Sequence, residues 1–217
     1  MSDSKLASRR TFLKGTTAAA AGLTLSSLTR SAHAAGSDKI KVALIGCGGR
    51  GSGAIRNCLD ADPAIQVVAV ADAFEGPATN AARSLKRERP DRVDIPKDRV
   101  FVGLDAYQKA IDCGIDMIVT ATPPGFRPMI YNAAIAAGKH VFMEKPCCVD
   151  APGFNLLMYT NKMAEEKGLK VGVGFQRRHP PEFIETIEKI HDGALGKIIL
   201  LRGYWNGDGI WNRRRRE

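Results

Sequence analysis

After residue 38 the chain consists of two kinds of segment that differ in the spacing of their apolar residues. Short unbroken apolar runs are typical of strands buried on both faces of a parallel sheet, and six segments fit this description: 39–45, 65–71, 100–102, 115–121, 140–143 and 169–174. The segments between them carry apolar residues at helical spacing and predict helices at 52–59, 78–88, 106–111, 127–137 and 154–167. Because strands that alternate with helices form a parallel sheet covered on both faces, the pattern predicts a doubly wound α/β domain over residues 38–180.

A different pattern begins after this domain. A helix is predicted at Pro181–His191, and Lys197–Tyr204 then alternates apolar and polar residues as a half-exposed strand does. A single strand of this kind cannot form a sheet by itself. We therefore expect residues 181–217 to hold a linker helix and only the start of a second, α+β open-sheet domain, so that the chain is truncated at its C-terminus.

The first 34 residues have the organisation of an export signal. The basic segment Ser8-Arg9-Arg10-Thr11-Phe12-Leu13-Lys14 precedes a mildly apolar stretch at 15–28, which is too short to span a membrane, and then Ala32-His33-Ala34. The paired arginines before Phe-Leu-Lys match a bacterial twin-arginine signal. We predict a signal peptide at 1–34, recognition by the twin-arginine export machinery, and a periplasmic or other extracytoplasmic location. Since this route moves folded proteins, it also suggests a tightly held cofactor.

A glycine-rich loop follows the first predicted strand directly. Gly46, Cys47, Gly48, Gly49, Arg50 and Gly51 form a G-x-G-x-x-G sequence between a strand and a helix, and Asp72 ends the second strand. In a Rossmann-like fold the first glycine allows the tight turn, the second lets a pyrophosphate approach the backbone, and the third lets the helix pack closely. The helix N-terminus offers N–H groups to phosphate. The loop therefore predicts a dinucleotide site, with Asp72 accepting hydrogen bonds from the adenosine ribose.

The same acid bears on the choice of coenzyme. The carboxylate of Asp72 repels a 2′-phosphate, and the next residues (Ala73, Phe74 and Glu75) include no arginine that would bind one. Arg50 in the loop leaves another route to a phosphate open. The sequence favours NAD and leaves NADP possible.

Composition and charge exclude other classes of protein. Of the formal net charge of +9 over 217 residues, +4 lies in residues 1–34 and another four charges lie in Arg213–Arg216, which leaves the rest nearly neutral. A nucleic-acid-binding protein carries a basic surface on its folded part, and aromatic residues make up only 6%, so no nucleic-acid partner is predicted. The five cysteines show no C-x-x-C spacing, so neither a metal site nor a disulfide is predicted.

Four stretches together resemble the Gfo/Idh/MocA family of oxidoreductases, and in particular its exported members. They are Ile45–Gly51, Thr122-Pro123, Glu144-Lys145-Pro146 after Gly-Lys-His-Val-Phe, and Gly172–Arg178. The resemblance covers roughly residues 38–205. It implies an NAD(P)-dependent enzyme that transfers hydride between the coenzyme and a hydroxyl of a sugar, polyol or related substrate.

The resemblance also implies roles for individual residues. Lys145 is the implied catalytic residue, exchanging the proton that accompanies hydride transfer, and it also contacts the cofactor. Thr122, Pro123 and Glu144 would bind the cofactor, with Glu144 at the nicotinamide ribose, and Gln176 and Arg177 would line the substrate side.

Two departures from the family pattern matter. Arg127 stands where the family often has a histidine, and the family's catalytic Asp and His belong to a second domain that this sequence does not contain. Oligomers of the family form through that domain, so a homo-oligomer is expected only with it. An alternative is therefore a nucleotide-binding fragment without turnover.

Overall fold

The computed structural model describes residues 39–204 and 206–207. The predicted signal peptide at 1–34 and the basic residues Arg213–Arg216 lie outside the described residues. The chain forms two compact units, which divide between Gly174 and Phe175. The domain bounds predicted at residues 180 and 181 stay a prediction.

The first unit is built on one six-stranded parallel sheet. Its strands lie in the order β3-β2-β1-β4-β5-β6. In chain order they are β1 Ile40–Ile45, β2 Ile65–Asp72, β3 Val100–Val102, β4 Met117–Thr120, β5 His140–Met143 and β6 Val171–Val173. This confirms the predicted doubly wound, Rossmann-like α/β fold.

The described part of this unit, residues 39–174, contains five α-helices. They are α1 Gly49–Ala61, α2 Glu75–Glu88, α3 Ala106–Asp112, α4 Arg127–Ala136 and α5 Ala151–Glu166, and a short 3-10 helix at Lys97–Arg99 precedes β3. The sequence predicted that α1 begins at Ser52, whereas it begins at Gly49. Glycine is unfavourable in the interior of a helix. The sequence therefore predicted that α1 starts after the glycine loop. The last three residues of the glycine loop therefore belong to the first turn of the helix.

Alternate side chains of the strands pack into two separate hydrophobic cores, one on each face of the sheet. Val42 and Leu44 of β1 face α1 and α2, where Ile55, Leu59 and Leu85 are fully buried. The intervening β1 residues, together with residues of β2, β4 and β5, pack against α3 and α4 on the other face of the sheet. This is why the strands are apolar at every position rather than at every second one.

The second unit differs from the sequence prediction in one respect. Its helix, α6, spans Pro181–His191 as predicted. Lys197–Tyr204, predicted as a strand, forms no strand, and Ile199 is 92% exposed. A strand needs a hydrogen-bonding neighbour, and residues 175–204 offer it none. Residues 197–204 therefore form no strand among the described residues, and the incomplete second domain predicted for 181–217 stays a prediction.

None of the described helices is both long and apolar enough to cross a bilayer.

One contact fixes α1 against the end of β1. A Cβ atom added at Gly51 would overlap the carbonyl oxygen of Gly46, a backbone atom that cannot move aside easily, and would lie 3.3 Å from the Ala121 Cβ. At Gly53, two residues further along the same helix, an added Cβ would meet nothing within 4 Å. The two glycines therefore differ in packing although both lie in one helix.

We predict opposite effects of alanine at these two glycines. Gly51→Ala should lower the free energy of unfolding by about 1–3 kcal/mol because the new methyl group overlaps backbone. Gly53→Ala should raise it by about 0.4–1 kcal/mol because alanine loses less backbone entropy in a helix. Urea unfolding of both variants checks this, and equal effects would contradict the packing described.

Candidate functional site

The predicted site residues of the first unit meet at one edge of the sheet. Because all six strands are parallel, their carboxyl ends share that edge. The edge carries the loop after β1, Asp72 at the end of β2, Thr122 and Pro123 after β4, and Glu144 after β5. The chain leaves β1 toward β2 and β3 on one side and returns as β4 on the other, so a crevice opens between β1 and β4.

The glycine loop begins with a residue that only glycine suits. Gly46 has a φ of +88°, its N–H donates to the Ala71 carbonyl at 2.8 Å, and an added Cβ would lie 2.7 Å from the Thr122 nitrogen. Gly48 is different, since its φ of −66° and ψ of −177° suit any residue and an added Cβ would meet nothing within 4 Å. The protein itself therefore requires glycine at 46 and 51 but leaves open space at 48, as a loop that lies against a ligand would.

The N-terminus of α1 has the features of an anion-binding site. Within the described residues no side chain caps this helix, and its first turn contains no acidic residue. The first N–H groups of a helix have no partner within the helix and carry a partial positive charge. Gly48 and Gly49 are exposed at this point. The loop and helix together fit a phosphate or pyrophosphate group.

Asp72 is tied to the glycine loop directly. Its Oδ2 accepts a hydrogen bond from the Cys47 N–H at 2.7 Å, and its Oδ1 accepts one from the Phe74 N–H at 3.0 Å. A carboxylate has about four acceptor positions, so two remain for hydroxyl groups. Sequence reasoning placed both Asp72 and Cys47 at the site but missed their contact.

Cys47 contributes its backbone rather than its thiol. The thiol is buried and donates to the Ala71 carbonyl oxygen at 3.4 Å. Burial, and secondly the negative charge of Asp72, raises the pKa of Cys47 to about 12. The thiol therefore stays protonated near neutral pH and is a packing group, not a nucleophile.

Glu144 and Arg50 form an ion pair across the crevice edge. The Arg50 Nη2 donates to the Glu144 Oε1, and the Arg50 side chain is 59% exposed whereas that of Glu144 is 3% exposed. This hydrogen bond is the main cause that raises the pKa of Arg50. A Cβ atom added at Gly174 would lie 2.8 Å from the Glu144 Oε1. The carboxylate is therefore confined on one side by Gly174 and paired with the glycine loop through Arg50.

Arg127 holds the turn that contains Lys145. Its side chain is buried, and its Nη1 donates to the Glu144 carbonyl at 2.7 Å and to the Pro146 carbonyl. Burial lowers the pKa of Arg127, with the charge of Glu144 opposing that change. Sequence reasoning noted Arg127 only as a departure from histidine. A charged residue at the start of an apolar helix was the available signal.

The remaining predicted site residues do not all lie in the first unit. Lys145 is exposed, and its peptide bond to Pro146 is cis. The Thr122 Oγ1 lies 3.4 Å from the Thr120 Oγ1, and the Pro123 carbonyl accepts from the Phe126 N–H at 3.0 Å. Gln176 and Arg177 belong to the second unit, so their predicted substrate role stays a prediction. Residues 39–204 contain no group of three or more His, Cys, Asp or Glu side chains that could hold a metal ion.

The chain is similar to curated inositol dehydrogenases. It is 28% identical over 175 residues to scyllo-inositol 2-dehydrogenase (NAD(+)) of Bacillus subtilis (strain 168), which covers 79% of this chain and 46% of that protein. It is 30% identical over 136 residues to inositol 2-dehydrogenase of Rhizobium meliloti (strain 1021), covering 63% of this chain and 36% of the relative. The chain thus spans less than half the length of these relatives.

Solved structures show the same fold. A scyllo-inositol dehydrogenase from Lactobacillus casei, solved with bound cofactor NAD(H) and scyllo-inositol, superposes with a TM-score of 0.57 at 22% identity, covering 73% of this chain and 42% of that one. A putative myo-inositol dehydrogenase from Sinorhizobium meliloti 1021 superposes with a TM-score of 0.54 at 27% identity, covering 73% and 43%.

A family model described as an oxidoreductase family with an NAD-binding Rossmann fold matches residues 40–175. That range holds the whole sheet and every site residue of the first unit. The chain therefore belongs to the Gfo/Idh/MocA oxidoreductase family and carries its NAD-binding Rossmann fold.

Proposed function

We propose that this protein is an NAD-dependent oxidoreductase that transfers hydride between the coenzyme and a secondary hydroxyl of an inositol-type polyol or related sugar. One observation carries the proposal: the glycine loop, Asp72 and the Glu144–Lys145 pair lie at one edge of the sheet. The relatives named above act on inositols, which supports the class of substrate.

Each part of the edge suits one part of the coenzyme. The open space at Gly48 and Gly49 and the uncapped start of α1 would receive the pyrophosphate. The two free acceptor positions of Asp72 would take the hydroxyls of the adenosine ribose. Thr122 and Pro123 lie beside the loop, since Thr122 is next to Gly46, and Glu144 would bind the second ribose.

The bound nicotinamide ring would supply the chemistry by accepting or releasing hydride. Lys145 is exposed directly after the buried Glu144, so its Nζ would hold or release the proton of the substrate hydroxyl. Gln176 and Arg177 follow β6 in the chain and are proposed to bind the other hydroxyls of the substrate.

The negative charge of Asp72 supports the preference for NAD. Its carboxylate already accepts two backbone hydrogen bonds, which hold it at the end of β2. A 2′-phosphate placed there would meet a fixed negative charge at close range, and this repulsion disfavours NADP.

An alternative is coenzyme binding without turnover. The observation that favours it is that the relatives are more than twice as long as the matched part of this chain, while the matched part is the coenzyme-binding fold. Both functions require NADH binding, and they differ in whether a polyol is oxidised.

We predict that Asp72→Asn weakens NADH binding by about 10-fold to 100-fold, because the charged acceptor of the ribose hydroxyls is lost. Asp62→Asn is the matched control, since the Asp62 Oδ1 also accepts from a backbone N–H two residues later, at 2.7 Å from the Ala64 nitrogen. It lies before β2, away from the proposed site. Fluorescence titration with NADH measures both, and failure of the unaltered chain to bind NADH would overturn the proposal.

We predict that the full chain reduces NAD when supplied with a panel of inositols and sugars, followed by absorbance of NADH. Lys145→Met should lower the rate by about 100-fold to 10,000-fold because the proton acceptor is lost, while NADH affinity changes by only severalfold. Lys162→Met is the control, because Lys162 is an exposed lysine on α5. NADH binding without any turnover would favour the alternative.

We also propose that the protein is exported by the twin-arginine route to the periplasm or beyond, on the strength of the Ser8–Lys14 sequence. We predict that replacing Arg9 and Arg10 together by lysine retains the unprocessed protein in the cytoplasm, because the paired arginines are the recognition signal. Cell fractionation with immunoblotting measures this. Unchanged export of the variant would contradict the proposed route.

A further inference from the structure

We infer that Arg127 is a positioning residue that holds the turn formed by Glu144, Lys145 and Pro146 in the place where its side chains serve the coenzyme. This inference rests on the proposed function as far as the coenzyme is concerned. Its structural part concerns the protein without coenzyme. We call residues 144–146 the lysine turn.

The contacts of Arg127 are placed at both ends of the lysine turn. The same nitrogen, Nη1, donates to the carbonyl of Glu144 and to the carbonyl of Pro146, the residues on either side of Lys145. The Glu144 N–H donates to the Thr120 carbonyl at 3.0 Å. The backbone of Lys145 is therefore held from both flanks, and the guanidinium is the group that binds both flanking carbonyls.

Arg127 also links the lysine turn to the loop after β4. The Arg127 N–H donates to the Pro124 carbonyl, and the Phe126 N–H donates to the Pro123 carbonyl. The loop with Thr122 and Pro123 therefore leads straight into the residue that binds the lysine turn. Two parts of the site that are separated by a whole helix are joined by a single side chain.

Burial of the charged Arg127 side chain costs free energy of folding. The side chain is 5% exposed, and its Nε has no hydrogen-bond partner among the described residues. Burying a cation is unfavourable unless it is fully paired. Apolar residues in place of buried charged ones often leave the folded protein equally stable or more stable. A guanidinium does what an apolar residue cannot do, because it donates from one nitrogen to the two carbonyls that flank Lys145.

The position of the lysine turn matters because Glu144 has little room. Its carboxylate is paired with Arg50 of the glycine loop and lies against Gly174. Misplacement of a site by about 1 Å can reduce its effectiveness by as much as 100-fold. Loss of Arg127 would remove the hydrogen bonds to the Glu144 and Pro146 carbonyls, leaving the Glu144 N–H bond to Thr120 as the remaining backbone contact, and would disturb the pairing of Glu144 with the glycine loop.

The test compares Arg127→Ala with Arg92→Ala in the full chain. Arg92 is a matched control because it also donates to two backbone carbonyls, those of Ile65 and Asp62, near the start of β2. Two quantities are measured: hydrogen exchange at 144–148 in coenzyme-free protein, read at the Glu144 N–H that donates to the Thr120 carbonyl because Pro146 has no N–H, and the affinity for NADH. Guanidinium chloride, far below denaturing concentration, is added to both variants, with sodium chloride as the salt control.

For Arg127→Ala we expect exchange at 144–148 to rise at least about tenfold and NADH affinity to fall by about 10-fold to 100-fold. Guanidinium should reverse both changes by occupying the vacated space, whereas sodium chloride should not. Arg92→Ala should change neither quantity. Unchanged exchange at 144–148 in Arg127→Ala, or changes that guanidinium does not reverse, would overturn the inference.

A second variant covers the case in which Arg127→Ala fails to fold. Arg127→Lys keeps the charge but lacks the planar fork of donors, so exchange at 144–148 should still rise while the rest of the sheet stays protected. Wild-type exchange and affinity in this variant would overturn the inference. If the unaltered chain binds no NADH, the proposed function fails, and the exchange measurement still decides the role of Arg127.

Discussion

The close approach of α1 to the end of β1 is the constraint on which the coenzyme site depends. Gly51 lies so near the carbonyl of Gly46 that no side chain fits between them. This contact sets where the helix begins, and the helix start supplies the N–H groups for an anion. It also brings Arg50, the residue before Gly51, to the crevice edge where it meets Glu144.

The charged residues of the site form a connected set rather than separate contacts. Arg50 pairs with Glu144 from the exposed side, and Arg127 binds the backbone of Glu144 from the buried side. The carboxylate of Glu144 is nearly inaccessible to water, and its ion pair with Arg50 compensates its charge. The glycine loop, the loop after β4 and the turn after β5 are thereby coupled electrostatically.

Much of this could be predicted from the sequence, because the strongest signals are local. The unbroken apolar runs gave six parallel strands, and the bounds of β3 and β5 agree to the residue. The start of α1 was placed too late because helix propensity argues against glycine, whereas tertiary packing decides it. Lys197–Tyr204 forms no strand because alternation shows only that a segment suits a sheet, and the described residues supply no neighbouring strand.

The contacts of the site were beyond sequence reasoning for a different reason. Glu144 lies 94 residues after Arg50, and Arg127 binds a turn 17 and 19 residues further on. No spacing rule relates such positions, since only the strand order β1-β4-β5 brings them together. The sequence indicated which residue types gather at the edge, and the fold determines which of them are partners.

The double use of Asp72 limits how the coenzyme preference of this fold can change. The carboxylate that disfavours a 2′-phosphate is also the group that anchors the Cys47 N–H at 2.7 Å. A mutation that removes the carboxylate to admit the phosphorylated coenzyme, and leaves no acceptor oxygen in its place, would also release the start of the glycine loop. A lineage or an engineer moving from one coenzyme to the other must therefore supply a neutral acceptor, such as the hydroxyl of serine, in the same step.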